Sequence, residues 1–166
     1  GRGGGSYHHL LINDSSRQAA HLGDKVLIRQ AGGASEGEFR RLVAHPDAHP
    51  SGIYVMPNVT TAEGVAAYAA SLDFLARRYS RPDKAYGRIH YWIMHNEVNS
   101  GWVWTNMGEK TALRYMDAYH KSMRIAHLIA RQYNPRAKVF ISLEHNWTVS
   151  HAPKCYTAKE LLDLLL

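Results

Sequence analysis

Cysteine is nearly absent: Cys155 stands alone among 166 residues, so an internal disulfide and a cysteine-based zinc cluster are both excluded. No stretch approaches the roughly 18 consecutive apolar residues that a membrane-spanning helix needs. The opening residues also lack the basic, apolar, small-residue order of a signal peptide. No Gly-x-Gly-x-x-Gly or Walker-type sequence follows any apolar run, which counts against the nucleotide-binding α/β folds. The start, Gly1-Arg2-Gly3-Gly4-Gly5-Ser6, is flexible by composition and has too few correctly spaced glycines for a phosphate loop. Metal spacing is missing as well. The 11 histidines include no His-Glu-x-x-His, and His120 and His127 stand seven apart on the helix expected there. His95 and His145 with a glutamate offer the one mixed ligand set, and neither a metal nor a cofactor is expected.

What is present describes a globular chain. Hydrophobic residues make up 45% and charged residues 20%, enough to bury a core as one domain. The formal charge of +6 and pI near 9.5 make an anionic partner worth testing. Nucleic acid is not expected, because Arg77, Arg78, Arg81, Arg124 and Arg131 are distributed over helix exteriors instead of being gathered on one face. The chain lacks an initiator Met and stops inside the apolar tail Leu161-Leu162-Asp163-Leu164-Leu165-Leu166, so it reads as a piece of a longer protein.

Two parts are expected. Residues 1–50 read as irregular, with short apolar runs compatible with strands at Leu10 to Ile12 and Lys25 to Ile28, then a Gly-, His- and Pro-rich stretch holding a short helix and loops. Residues 51–166 read as three βα units. Ile53 to Met56, Ile89 to Met94 and Lys138 to Leu143 are the predicted strands. Thr60 with Glu63, Asn106 with Glu109, and Thr157 with Glu160 have capping-box spacing before the predicted helices. Apolar stripes through Val65, Tyr68, Leu72, Leu75 and Tyr79, and through Ala112, Met116, Tyr119, Met123, Ala126, Ala130 and Tyr133, give each helix one buried face. These helices should stop before Pro82 and Pro135. Consecutive βα units imply a parallel sheet, either open and doubly wound or closed into a (β/α)8 barrel, with its chemistry at the carboxyl ends of strands.

At such an end stands His95-Asn96-Glu97-Val98-Asn99. A carboxyl group partly withdrawn from water holds its proton more tightly, so Glu97 suits a general acid, and Asn96 suits a hydrogen-bond donor to a hydroxyl. A polar strand end capping its own loop explains the same residues equally well. Glu144 ends the next predicted strand and suits substrate binding or site shaping. Trp102, Trp104 and Trp147 near strand ends suit the flat apolar face of a sugar, or ordinary packing. Asn58 ends the first of the three strands.

These residues resemble the retaining glycoside hydrolases of the large (β/α)8-barrel clan, whose fourth strand ends in Asn-Glu, here Asn96-Glu97. The similarity is closest to an uncharacterised bacterial branch of such barrels. It is carried by Tyr91-Trp92-Ile93-Met94-His95-Asn96-Glu97-Val98-Asn99, Val139-Phe140-Ile141-Ser142-Leu143-Glu144-His145-Asn146-Trp147 and Leu75-Ala76-Arg77-Arg78-Tyr79-Ser80-Arg81-Pro82, and it covers roughly residues 50 to 166. The resemblance implies an incomplete TIM barrel holding strands three to five and an oligosaccharide or polysaccharide substrate. It makes Glu97 the acid/base and Asn96 the contact to the sugar 2-hydroxyl, and it places the nucleophile on a later strand. His95, Asn99 and His145 join the candidate substrate-binding residues by position. The competing expectation is a barrel that binds carbohydrate or supports an assembly without catalysis. Secretion or a periplasmic location would require a signal peptide on a longer chain.

Overall fold

A computed structural model describes residues 41–166 and the backbone of residues 10–12. The predicted run Lys25 to Ile28 lies outside the described residues. The described chain is of mixed α/β type. Strand β1 (Leu10–Ile12) precedes helix α1 (Ala62–Arg78) and strand β2 (Ile89–Ile93). A 3-10 turn (Val98–Ser100) and the short helix α2 (Gly101–Trp104) lead to the long helix α3 (Ala112–Tyr133), then strand β3 (Lys138–Phe140) and helix α4 (Ala158–Leu165).

The sheet has the order β1-β2-β3. β2 and β3 run parallel, with Tyr91, Trp92 and Ile93 opposite Lys138, Val139 and Phe140. Pairing persists past the named strands, because Met94 N–H donates to the Phe140 carbonyl at 2.9 Å and Val98 N–H to the Ser142 carbonyl at 2.9 Å. The parallel crossover through α3 is the βα arrangement that the sequence predicts. β1, by contrast, pairs antiparallel with β2, which corrects the expectation of an all-parallel sheet.

A second correction concerns Ile53 to Met56. Among the described residues, it makes a single bridge, Val55 to Asn106, with another just after it from Pro57 to Ala44, and does not join β2. Its amides are claimed elsewhere: Tyr54 N–H donates to the Val103 carbonyl and Met56 N–H to the Asn106 carbonyl. Pro57 then has no N–H with which to extend a ladder.

The helix caps show the same local competition. Thr61, not Thr60, caps α1 by accepting the Gly64 N–H, since the Thr60 hydroxyl donates to Asn58 Oδ1 at 2.7 Å. Thr111, not Asn106, caps α3, because Asn106 Oδ1 is taken by the amides of His49 and Gly108. Thr157 caps α4 as its spacing predicts. The helices end at Arg78 and Tyr133, ahead of the two prolines.

The core lies between β2 and the helices. Trp92 and Met94 from the β2 segment pack with Tyr68, Leu72 and Leu75 of α1, Met116, Tyr119 and Ala126 of α3, and Leu161 of α4. Complete burial of an aliphatic side chain such as Leu161 stabilises by about 1.5–3 kcal/mol. Asn134 fastens the end of α3 to the start of β2, its amide donating to the Ile89 carbonyl at 3.2 Å. Tyr115 and Tyr119 are buried on α3, and burial pushes both phenols far above the usual tyrosine range. Tyr156 is pushed up to about 12, also chiefly by burial.

Thr61→Ala is expected to lower stability by about 1 kcal/mol through loss of the α1 cap. A urea titration should show the midpoint fall with the slope unchanged. The raised tyrosines set an alkaline limit, because a group whose folded pKa exceeds its unfolded value stabilises fully only below the unfolded value. Stability should therefore hold up to about pH 10 and decline as the pH rises toward the folded Tyr156 value of about 12. Denaturation midpoints between pH 8 and 12 test this, with Tyr156→Phe expected to flatten part of the decline.

Candidate active site

The chain leaves β2 through a cis peptide between Met94 and His95 and reaches Glu97, whose φ of 36° lies in the left-handed region. That conformation costs a residue with a side chain about 1–2 kcal/mol, so the surroundings must hold it. They do so on both sides. The Tyr119 hydroxyl donates to the Met94 carbonyl, and the Tyr115 hydroxyl donates to the Val98 carbonyl at 2.7 Å. The Glu97 N–H donates to Ser142 Oγ at 3.3 Å. Gly101 then lets α2 approach, since a Cβ at that position would stand 2.8 Å from the Tyr115 ring.

The Glu97 carboxylate is half-buried and accepts the Trp104 indole N–H through Oε2 at 3.1 Å. Trp104 itself stacks on Tyr54, with ring centres 5.3 Å apart and planes 8° from parallel. Among the described residues, nothing hydrogen-bonds Glu97 Oε1. The neighbouring Asn96 is buried, and its amide has no hydrogen-bond partner among the described residues.

Glu144 is built differently. Its side chain is 9% exposed and both oxygens are engaged. Oε1 accepts from Asn99 Nδ2 at 2.8 Å and lies 3.7 Å from His151 Nδ1. Oε2 accepts from Asn146 Nδ2 at 2.6 Å and lies 3.3 Å from His145 Nδ1. Asn99, at 0% exposure, answers with Oδ1, which accepts the Glu144 N–H at 2.8 Å. This two-way bond joins the loop after β2 to the loop after β3.

The structure thus groups Glu97 with Trp104, and Asn99 with Glu144 and His145. The other candidates are placed apart. Asn58 secures the turn before α1, its oxygen accepting from Thr60 and its amide donating to the Arg41 carbonyl. His95 faces the helices, 3.2 Å from Ser122 Oγ and between the rings of Tyr68 and Tyr119. Trp102 lies against His49 with Lys154 Nζ 4.1 Å from its ring centre. The His145 side chain is 93% exposed, and Trp147 is 55% exposed.

Sequence reasoning missed His151, Cys155 and Ser100. His151 Nδ1 stands 3.4 Å from Ser100 Oγ, and its Nε2 stands 3.7 Å from Cys155 Sγ. The sequence signals only the four-residue spacing of His151 and Cys155. This thiol is no ready nucleophile: burial first, then the Glu144 charge, push its pKa up, against a backbone hydrogen bond from Trp102. Among the described residues, no group of three or more His, Cys, Asp or Glu is placed to hold a metal. No helix among them is long and apolar enough to cross a membrane.

Among the described residues, two cavities lie away from these carboxylates. One of about 630 Å3 is lined by the start of α3 and by α4, and one of about 710 Å3 by residues at the amino-terminal end of the β2–β3 pair. Neither is lined by Glu97 or Glu144. Chemically, the arrangement supplies one carboxylate oxygen without a hydrogen-bond partner among the described residues, the Asn96 amide beside it, and a second carboxylate consumed in holding loops together.

The chain belongs to a family of unknown function, DUF5722, which matches residues 18–166. Comparison with curated proteins and with solved structures finds no match.

Asn99→Asp is expected to destabilise by about 3 kcal/mol, since it exchanges the Glu144-facing donor for a second buried carboxylate. The loss should shrink as the pH falls and the added carboxyl group takes up a proton. Denaturation of both proteins at pH 7 and pH 4.5 checks the magnitude and the sign.

Proposed function

We propose that this chain is part of a retaining glycoside hydrolase and that Glu97 is its general acid/base. The observation that carries the reading is the contrast between the two strand-end carboxylates. Glu97 keeps Oε1 open while Trp104 holds Oε2, whereas Glu144 has both oxygens engaged. In the reaction, Glu97 protonates the glycosidic oxygen as the bond to the anomeric carbon breaks, then takes a proton from the water that releases the sugar. Asn96 donates to the sugar hydroxyl next to the anomeric centre. Glu144 shapes the site with Asn99, and the attacking carboxylate belongs to a later strand of the barrel. The substrate is an oligosaccharide or polysaccharide.

The proposed scaffold is an incomplete (β/α)8 barrel. Its support is that, among the described residues, helices cover one face of the sheet. Trp92 and Met94 point into the helical layer, while Tyr91 and Phe140 on the other face remain 44% and 43% exposed. A doubly wound sheet carries helices on both faces, whereas a barrel turns one apolar face inward. The antiparallel β1 beside β2 is the feature that departs from an all-parallel barrel.

Glu97→Gln in the full-length protein is expected to lower kcat/KM on unactivated glycosides by at least about 100-fold. Aryl glycosides with good leaving groups should be affected far less in the first step, and added azide should restore turnover by replacing water. Equal hydrolysis by both proteins would remove Glu97 from this role. Sugar binding without hydrolysis in the unsubstituted protein would favour the binding barrel instead.

A further inference from the structure

The cleft of about 710 Å3 lies at the other end of the β2–β3 pair from Glu97, a strand length of about 16 Å away. Its lining comes from β2, the last turns of α3, the connecting turn and β3. The charged and polar residues are His90, His127, Arg131, Arg136 and Lys138, with no carboxylate among the lining residues.

We propose that this cleft binds a small ligand carrying a diphosphate group. The proposal is independent of the glycosidase reading. Three observations carry it. First, three fixed cations from three elements converge on one concavity, and none has a carboxylate partner among the described residues. Elsewhere on the surface, Arg77, Arg81, Lys110, Lys121, Lys154 and Lys159 each pair with an aspartate or glutamate, while Lys84, Arg114 and Arg124 also lack a carboxylate partner among the described residues but line neither cavity. Stabilisation of the negative end of α3 accounts for Arg131, which stands in its last turn, but not for Arg136 or Lys138.

Second, two lining residues are tied together from outside the cleft. Asn134, which is buried and does not line it, accepts the Arg136 N–H through Oδ1 at 3.1 Å, and its Nδ2 lies 3.3 Å from His90 Nδ1. With Nδ1 accepting from that amide, the His90 proton resides on Nε2, which becomes a further donor. His127 and Arg131 stand four residues apart and so share a face of α3.

Third, charge and size exceed what a single phosphate matches. One phosphate group carries about −1.5 to −2 near pH 7, less than the three fixed cations. Two guanidinium forks suit two adjacent oxyanion groups, each able to accept paired hydrogen bonds. A cleft lined by one sign of charge also focuses its field on the ligand.

Isothermal titration calorimetry with inorganic diphosphate, orthophosphate and sulfate at low ionic strength tests the proposal. Saturable one-to-one diphosphate binding is expected, at least tenfold tighter than either smaller anion and weaker at higher salt. Combined Arg131→Ala and Arg136→Ala should weaken it at least tenfold, while Lys121→Ala leaves it unchanged. Should the alanine pair fail to fold, Arg131→Lys with Arg136→Lys keeps the charge and should still weaken binding several-fold through loss of the fork geometry. Absence of saturable binding, equal affinity for orthophosphate, or full affinity in a folded double variant would each overturn the assignment.

Discussion

Two phenols on one helix hold the backbone from which Glu97 projects. Tyr115 and Tyr119 stand one helical turn apart on α3 and donate to the carbonyls of Val98 and Met94, on either side of the left-handed residue. Both are buried, and burial keeps them in the protonated, donating form. A carboxylate on an unfavourable φ therefore depends on a helix distant in sequence. The same helix fills the core through Met116 and Ala126, so the packing that stabilises the fold also fixes where the carboxylate stands.

The bond between Asn99 and Glu144 complements this arrangement from the other strand. One amide side chain uses its donor on the carboxylate and its acceptor on the same residue's N–H. Removing either partner leaves the other with buried, unsatisfied polar atoms, so the two loops are positioned together or not at all. Glu144 is thereby occupied, and the two carboxylates differ in what surrounds them. Burial with saturated oxygens describes a structural group, while partial exposure with an open oxygen describes a group able to exchange protons with something outside the protein.

Much of this was legible in the sequence wherever local periodicity dominates. The apolar stripes through Tyr68 and Leu72 and through Met116 and Tyr119 identified the buried faces of α1 and α3, and the two prolines fixed where those helices stop. The continuous apolar run from Ile89 identified β2. Errors fell where one residue had several possible partners. Thr60 and Asn106 had capping-box spacing, but nearer groups claimed them first: Asn58 in one case, and the amides of His49 and Gly108 in the other. Ile53 to Met56 had a strand's composition but, among the described residues, makes single bridges and no ladder. His151 entered the Glu144 cluster across a separation that no periodicity encodes. The gathering of Arg131 with Arg136 and Lys138 likewise depends on the chain reversing between α3 and β3.

The two ends of the β2–β3 pair carry opposite chemistry, and α3 serves both. Its amino-terminal half supplies the phenols that hold the Glu97 segment, and its carboxyl-terminal half supplies His127 and Arg131 to the cationic cleft. With 22 residues it is about 33 Å long, enough to span the domain as a single rod. Shared use of one element does not couple the sites. Coupling requires two arrangements of α3 with different contacts at each end, and a ligand that prefers one of them. Here α3 is fastened at its amino-terminal end by buried phenol bonds and at its carboxyl-terminal end by Asn134 on the Ile89 carbonyl. A helix pinned at both ends shifts only by breaking buried hydrogen bonds, so the proposed occupancy of the cleft and the proposed chemistry at Glu97 are expected to be energetically separate.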